Sequence, residues 1–146
     1  MLIKRIEHIL LIVLDAFLAL TAVAGGLGLV TGTLAPSVQL LQGSPFSSYT
    51  VPGLALLVLV GGSALVATFL LLRLPPLGVL ASGIAGVMIM GFEIVEVLVI
   101  GSDPGLARNL QFFYFTLGLV IAVLATVRWL GEHGVSLSGV RHTTMQ

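Results

Sequence analysis

The sequence predicts an all-α integral membrane protein, an antiparallel bundle of four transmembrane helices, and three observations lead there. The chain contains four apolar runs of roughly 20 residues, the length a helix needs to cross a hydrocarbon core about 30 Å thick at 1.5 Å rise per residue. Its 146 residues are 58% apolar and 8% charged, whereas a soluble domain carries roughly a quarter charged residues. The few basic residues also gather at alternate connections between the runs. A backbone facing lipid must satisfy its own hydrogen bonds, and no alternating barrel pattern is present, so each run is read as a helix.

The first span, about residues 9–30, follows Lys4 and Arg5. Ala22-Val23-Ala24 resembles a signal-peptidase site, yet the apolar run continues past it to Val30 and carries Asp15. A retained span is therefore expected rather than a cleaved leader. Asp15 shares a face with Ala19, Ala22 and Gly26 at i, i+4, i+7 and i+11.

The connection from Thr31 to Thr50 is long and carries no charge, with Pro36, Gly43 and Pro45 interrupting it. Ser37 to Leu41 is expected to form a short surface helix, and Phe46 and Tyr49 suit the lipid–water boundary. A packed cap over the helix ends is the expected role of this loop, with a ligand lid as the alternative.

The second span, about 51–72, carries Gly61, Ala64 and Thr68 on one side. Leu74-Pro75-Pro76 then predicts a tight turn, because proline ends one helix and suits the first turn of the next. The third span, about 77–100, places Ser82, Gly86 and Glu93 on one face, with Glu96 about 60° round from Glu93. Gly101 to Gly105 makes a second tight turn. The fourth span, about 110–130, aligns Gln111, Gly118, Ala122 and Ala125, with Arg108 just before it. The segment 131–146 is polar and lacks periodicity, and is expected to be a loosely held cytoplasmic tail.

Lys4, Arg5, Arg73, Arg128 and Arg141 fall on one side of this topology, and Arg108 alone falls on the other. The positive-inside rule then puts both termini in the cytoplasm. Hydropathy over about 120 residues resembles the small four-helix proteins of bacterial inner membranes, a likeness without any motif that transfers functional residues. That likeness implies a plasma-membrane location.

In lipid, small residues and polar groups hold helices together, so the stripes above mark the expected interfaces. An ionised carboxylate deep in a span costs at least about 2.5 kcal/mol, and Glu93 and Glu96 therefore need partners, a proton or water. Counting from Gly101, Glu96 lies about 7 Å and Glu93 about 12 Å below the outer end. Gln111 and Tyr114 reach similar levels, and Arg108 is long enough to descend to Glu96. These five residues form the expected ligand- or ion-binding cluster. In one reading Glu96 and Arg108 make a structural ion pair, and Glu93 hydrogen-bonds a carbonyl, Gln111 or Tyr114. In the other, Glu93 is a protonatable or cation-binding group opening to the outside. Asp15 lies at a different depth and forms a secondary polar site, with Thr68 or Arg128 as its expected partner.

Other chemistry is disfavoured. No cysteine occurs, which removes thiol nucleophiles, disulfides and cysteine-ligated metals. His8, His133 and His142 lack metal-ligand spacing, and no Glu-x-x-His, nucleophile-elbow or phosphate-loop pattern is present. No catalytic residue, metal or cofactor is expected. Six Lys and Arg, dispersed and balanced by six acids, give no basic surface for nucleic acid. The implied partners are the lipid bilayer and, through any uncovered stripe, a second copy or a larger membrane complex. A structural or accessory role is the expected function; a proton- or cation-coupled transporter or channel using Glu93 and Glu96 is the alternative.

Overall fold

The structure, a computed structural model, describes residues 1–134. Arg141, His142 and most of the expected tail lie outside the described residues. Four helices are long and apolar enough to cross a membrane: α1 (Leu2–Thr31), α2 (Thr50–Arg73), α3 (Pro75–Val99) and α4 (Leu106–Glu132). A single 3₁₀ turn, Val38–Leu41, interrupts the long first loop. No strand is present among the described residues.

Two helices extend well beyond their apolar runs. Helix α1 starts at Leu2 and α4 reaches Glu132, so the tail begins later than the polar residues from Gly131 suggest. Lys, Arg and Glu are good helix formers and add hydrogen-bonded turns outside the apolar stretch. Hydropathy marks the hydrocarbon thickness, not the helix ends.

Each consecutive pair of helices is in contact, and α1 also touches α4 and α3. The Arg128 guanidinium donates to the Lys4 carbonyl at 2.6 Å and to Glu132 at 3.0 Å. The first turn of α1 therefore meets the last turns of α4, at a basic end of the bundle. Leu74 alone separates α2 from α3, and Pro75 and Pro76 occupy the first positions of α3. This turn is so tight that a Cβ on Gly78 would overlap the Leu71 backbone.

Small residues set the helix contacts. A Cβ on Gly86 would stand 2.7 Å from the Gly118 carbonyl oxygen, where α3 crosses α4. A Cβ on Gly26 would stand 2.7 Å from the Gly53 carbonyl, where α1 crosses α2. Both distances are inside van der Waals contact, so a larger residue must push the backbones apart. Asp15, Ala19, Ala22 and Gly26 are all buried, as are Ser82, Gly86 and Glu93 on α3. The core between the stripes is filled by Leu11, Leu18, Val60, Leu71, Ile89 and Ile121.

Within α2, Leu56–Gly61 forms a π-helical segment, which the sequence reading does not anticipate. It lies beside α1, and a Cβ on Gly61 would meet the Val23 side chain at 2.9 Å. The wider turn begins after the close approach at Gly53 and ends on the one at Gly61, where α2 packs on α1.

The first loop is fastened over the helix ends. The Leu34 amide donates to the Gly28 carbonyl at 3.0 Å, and Ser37 caps the 3₁₀ turn by accepting from the Gln39 amide. Tyr49 is 7% exposed and donates to the Ser37 carbonyl at 3.3 Å. Burial, with the Glu96 and Asp103 carboxyls nearby, holds the Tyr49 hydroxyl above the ordinary phenol range.

Candidate functional site

The polar cluster is built where α3 ends, turns through residues 100–105 and re-enters as α4. Gly101 has φ +107°, a left-handed conformation that glycine adopts without strain, and its amide still bonds back to Glu96. This geometry leaves the Gly101 carbonyl turned toward α4. The Gln111 side-chain amide Nε2 donates to it at 3.1 Å and to Glu96 Oε1 at 3.2 Å. One amide thus ties the last turns of α3 to the first turns of α4.

Glu93 is 6% exposed and Gln111 8%. Glu93 Oε2 and Gln111 Oε1 are both buried, and neither has a hydrogen-bond partner among the described residues. The Gln111 orientation is fixed by its neighbours. Exchanging its oxygen and nitrogen would set the oxygen against a carboxylate and a carbonyl. Glu96 is half-buried, and besides meeting Gln111 it lines the neighbouring groove between α2 and α3 with Phe46, Pro52 and Phe92.

Arg108 does not make the expected ion pair. It is exposed, and the one ion pair among the described residues is Arg128 with Glu132. Arg108 sits in the first turn of α4, three residues nearer the loop than Gln111. Gln111, one turn further along, fills the place assigned to the guanidinium. Tyr114 is also turned elsewhere. Its ring packs on the apolar core and meets Phe113 edge-to-face at 5.2 Å. The structure thus brings Glu96 and Gln111 into direct contact, with Glu93 and Arg108 on a shared groove and Tyr114 outside it.

That groove lies between α3 and α4 and has a volume of about 430 Å³. Glu93 and Gln111 form its polar wall, Arg108 and Ser102 stand at its loop end, and Phe112 and Phe115 flank it.

The secondary polar site has a different partner from the two expected. Asp15 is fully buried, and the Ser82 hydroxyl of α3 donates to its Oδ2 at 2.5 Å. Thr68 instead donates to the Ala64 carbonyl of its own helix at 2.8 Å, as threonine does when it folds back on the preceding turn. Arg128 is engaged with Lys4 and Glu132. A depth signal for Ser82 exists in the sequence: it lies about as far into the third span as Asp15 lies into the first.

Among the described residues, no three His, Asp or Glu side chains come together as metal ligands. No family model, curated protein or solved structure matches the chain. The functional reading therefore rests on the site alone.

Proposed function

We propose that this chain is a small multi-pass protein of the bacterial inner membrane, acting in a non-enzymatic role as a structural component or accessory subunit. In this reading the four spans run antiparallel and both termini are cytoplasmic. The observation that carries it is the use made of the Gln111 amide, which links Glu96 on α3 to the Gly101 carbonyl from α4. Lipid gives apolar helices little reason to associate, so such a link is a holding device. Asp15 and Ser82 do the same between α1 and α3. Lys4, Arg5, Arg73 and Arg128 against Arg108 support the orientation by the positive-inside rule.

The accessory role is supported by a second groove of about 450 Å³ between α2 and α3, lined by Val87, Met88, Gly91 and Val95. A Cβ at Gly91 would meet nothing within 4 Å. An uncovered glycine in an apolar groove suits the close approach of a helix from another subunit. Purification in mild detergent, followed by mass measurement of the intact assembly, tests this. Stable copurification with a larger membrane complex, lost on Gly91→Leu, is the expected result. A monodisperse monomer that carries ion flux would overturn it.

One observation favours a second reading, a proton- or cation-coupled transporter or channel: the buried, unpartnered Oε2 of Glu93. Glutamine keeps the shape and a hydrogen-bond donor but cannot titrate. Loss of pH-dependent flux in proteoliposomes on Glu93→Gln would support that reading, and unchanged flux would end it.

A further inference from the structure

We infer that the groove between α3 and α4 is a binding site for a phospholipid whose headgroup ends in a primary ammonium. The inference rests on the membrane reading above and adds a ligand to it. Glu93 and Gln111, both more than nine-tenths buried, line one groove, and each holds an acceptor oxygen without a donor beneath the groove's surface. The donors of Gln111 are already committed to Glu96 and Gly101. What the wall lacks is therefore a compact group rich in N–H and positive in charge.

The charge pattern selects among ligands. A bare cation would answer the two oxygens but leave Arg108 unused at the loop end of the same groove. Arg108 is exposed and makes no ion pair among the described residues, and a guanidinium binds phosphate through paired N–H donors. Arg108 precedes Gln111 by three residues, roughly 4.5 Å of rise along α4. That is on the scale of the two-carbon spacer between ammonium and phosphate in an ethanolamine headgroup. Ser102 adds a hydroxyl beside Arg108. The remaining wall is apolar: Ile94 is 48%, Leu98 79% and Phe112 67% exposed, which suits an acyl chain running down the outside of the bundle. The ammonium thus draws the covered oxygens of Glu93 and Gln111 toward the groove by a turn of their side chains, the phosphate meets Arg108, and the chains lie against the aromatic flank.

The discriminating feature is the N–H count. A primary ammonium offers three donors and a trimethylammonium none, with charge and phosphate unchanged. The test is native mass spectrometry of the intact chain in mild detergent, titrated with dimyristoyl phosphatidylethanolamine and its mono-, di- and trimethylated forms, and with phosphatidylglycerol. Affinity is expected to fall about tenfold across the methylation series, the ratio set by about one charge-assisted hydrogen bond. Glu93→Gln should flatten the series, and Arg108→Ala should weaken every phosphate lipid, phosphatidylglycerol included. The methylation series needs only the unaltered protein, so the result stands even where a variant fails to fold.

A flat series on the unaltered protein overturns the inference. So does saturation by ammonium chloride alone at concentrations that leave lipid binding unchanged, which would assign the groove to a bare cation. Recovery of the chain outside the membrane fraction is a separate failure, since it removes the membrane reading itself.

Discussion

Replacing Ser82 by alanine should destabilise the bundle by about 1–3 kcal/mol, the cost of leaving a buried acceptor without its donor. The number follows from the surroundings of Asp15. It is fully buried, its Oδ1 has no partner among the described residues, and Ser82 is the one hydrogen bond to its Oδ2. The substitution therefore strands the whole carboxyl group. Inter-helix hydrogen bonds in membrane proteins couple more weakly than this, averaging about 0.6 kcal/mol and reaching about 1.7, because the dissociated helices find other partners. The two figures describe different quantities. The single substitution includes the stranded acid, whereas a double-mutant cycle of Asp15→Ala and Ser82→Ala isolates the pair. Alanine is the best helix former, so propensity does not mask the effect. Reversible unfolding in mixed micelles of rising dodecyl sulfate fraction, followed through the single tryptophan, Trp129, gives all four free energies. A coupling below about 0.3 kcal/mol, or a Ser82→Ala variant as stable as the parent, would refute the claim that this bond holds α1 to α3.

Three further substitutions test the packing and the loop. Gly118→Val should cost about 1–3 kcal/mol by overpacking, since a Cβ at Gly118 already stands 2.5 Å from the Ile89 side chain and 2.7 Å from the Gly86 carbonyl; a thermal melt in detergent reads the loss. Gln111→Ala should cost about 1–3 kcal/mol by releasing both Glu96 and Gly101, and hydrogen exchange at the Gly101 and Ile100 amides should accelerate as the turn loosens. Tyr49 is harder to ionise in the folded chain than at the ordinary phenol value of 10, so the stability its neutral form contributes is fully present below that pH and is lost as pH rises through the folded value. Tyr49→Phe should remove this alkaline slope, which denaturant titrations at pH 9 and above the phenol range would detect.

The interfaces were legible in the sequence because they are made by composition. Asp15, Ala19, Ala22 and Gly26 repeat at helical spacing, and every one of them is buried. Gly86 and Gly118 were on the expected stripes and form the closest approach of α3 and α4. The choice of polar partners was less legible, because spacing fixes which face a residue occupies but not which way its side chain leans. Arg108 had the length to reach Glu96, yet it is exposed and Gln111, one turn further along α4, takes the contact. Thr68 had a suitable position, but a threonine in a helix can satisfy itself on the preceding turn. The π-helical segment at Leu56–Gly61 left no mark in hydropathy. Its surroundings are tertiary: Gly26 and Val23 of α1 press against Gly53, Leu57 and Gly61.

The two polar levels of the molecule bear on the choice between holding and conducting. Ser82 and Glu93 lie eleven residues apart on α3, roughly 16 Å along the axis. Between them the interior is closed by Leu18, Ala22, Ala85, Ile89 and Ile121, each 0–2% exposed. A proton or ion passing from one level to the other would have to cross this apolar layer, and opening it would mean separating close-packed helices at Gly86 and Gly118. The levels also face different neighbours, Ser82 meeting α1 and Glu93 the groove beside α4. Chemistry at Glu93 is thereby confined to what enters from the loop end or from the flank. That confinement favours the proposed binding role over transit, because Glu93 borders the groove beside α4 and not a path along the axis of the bundle.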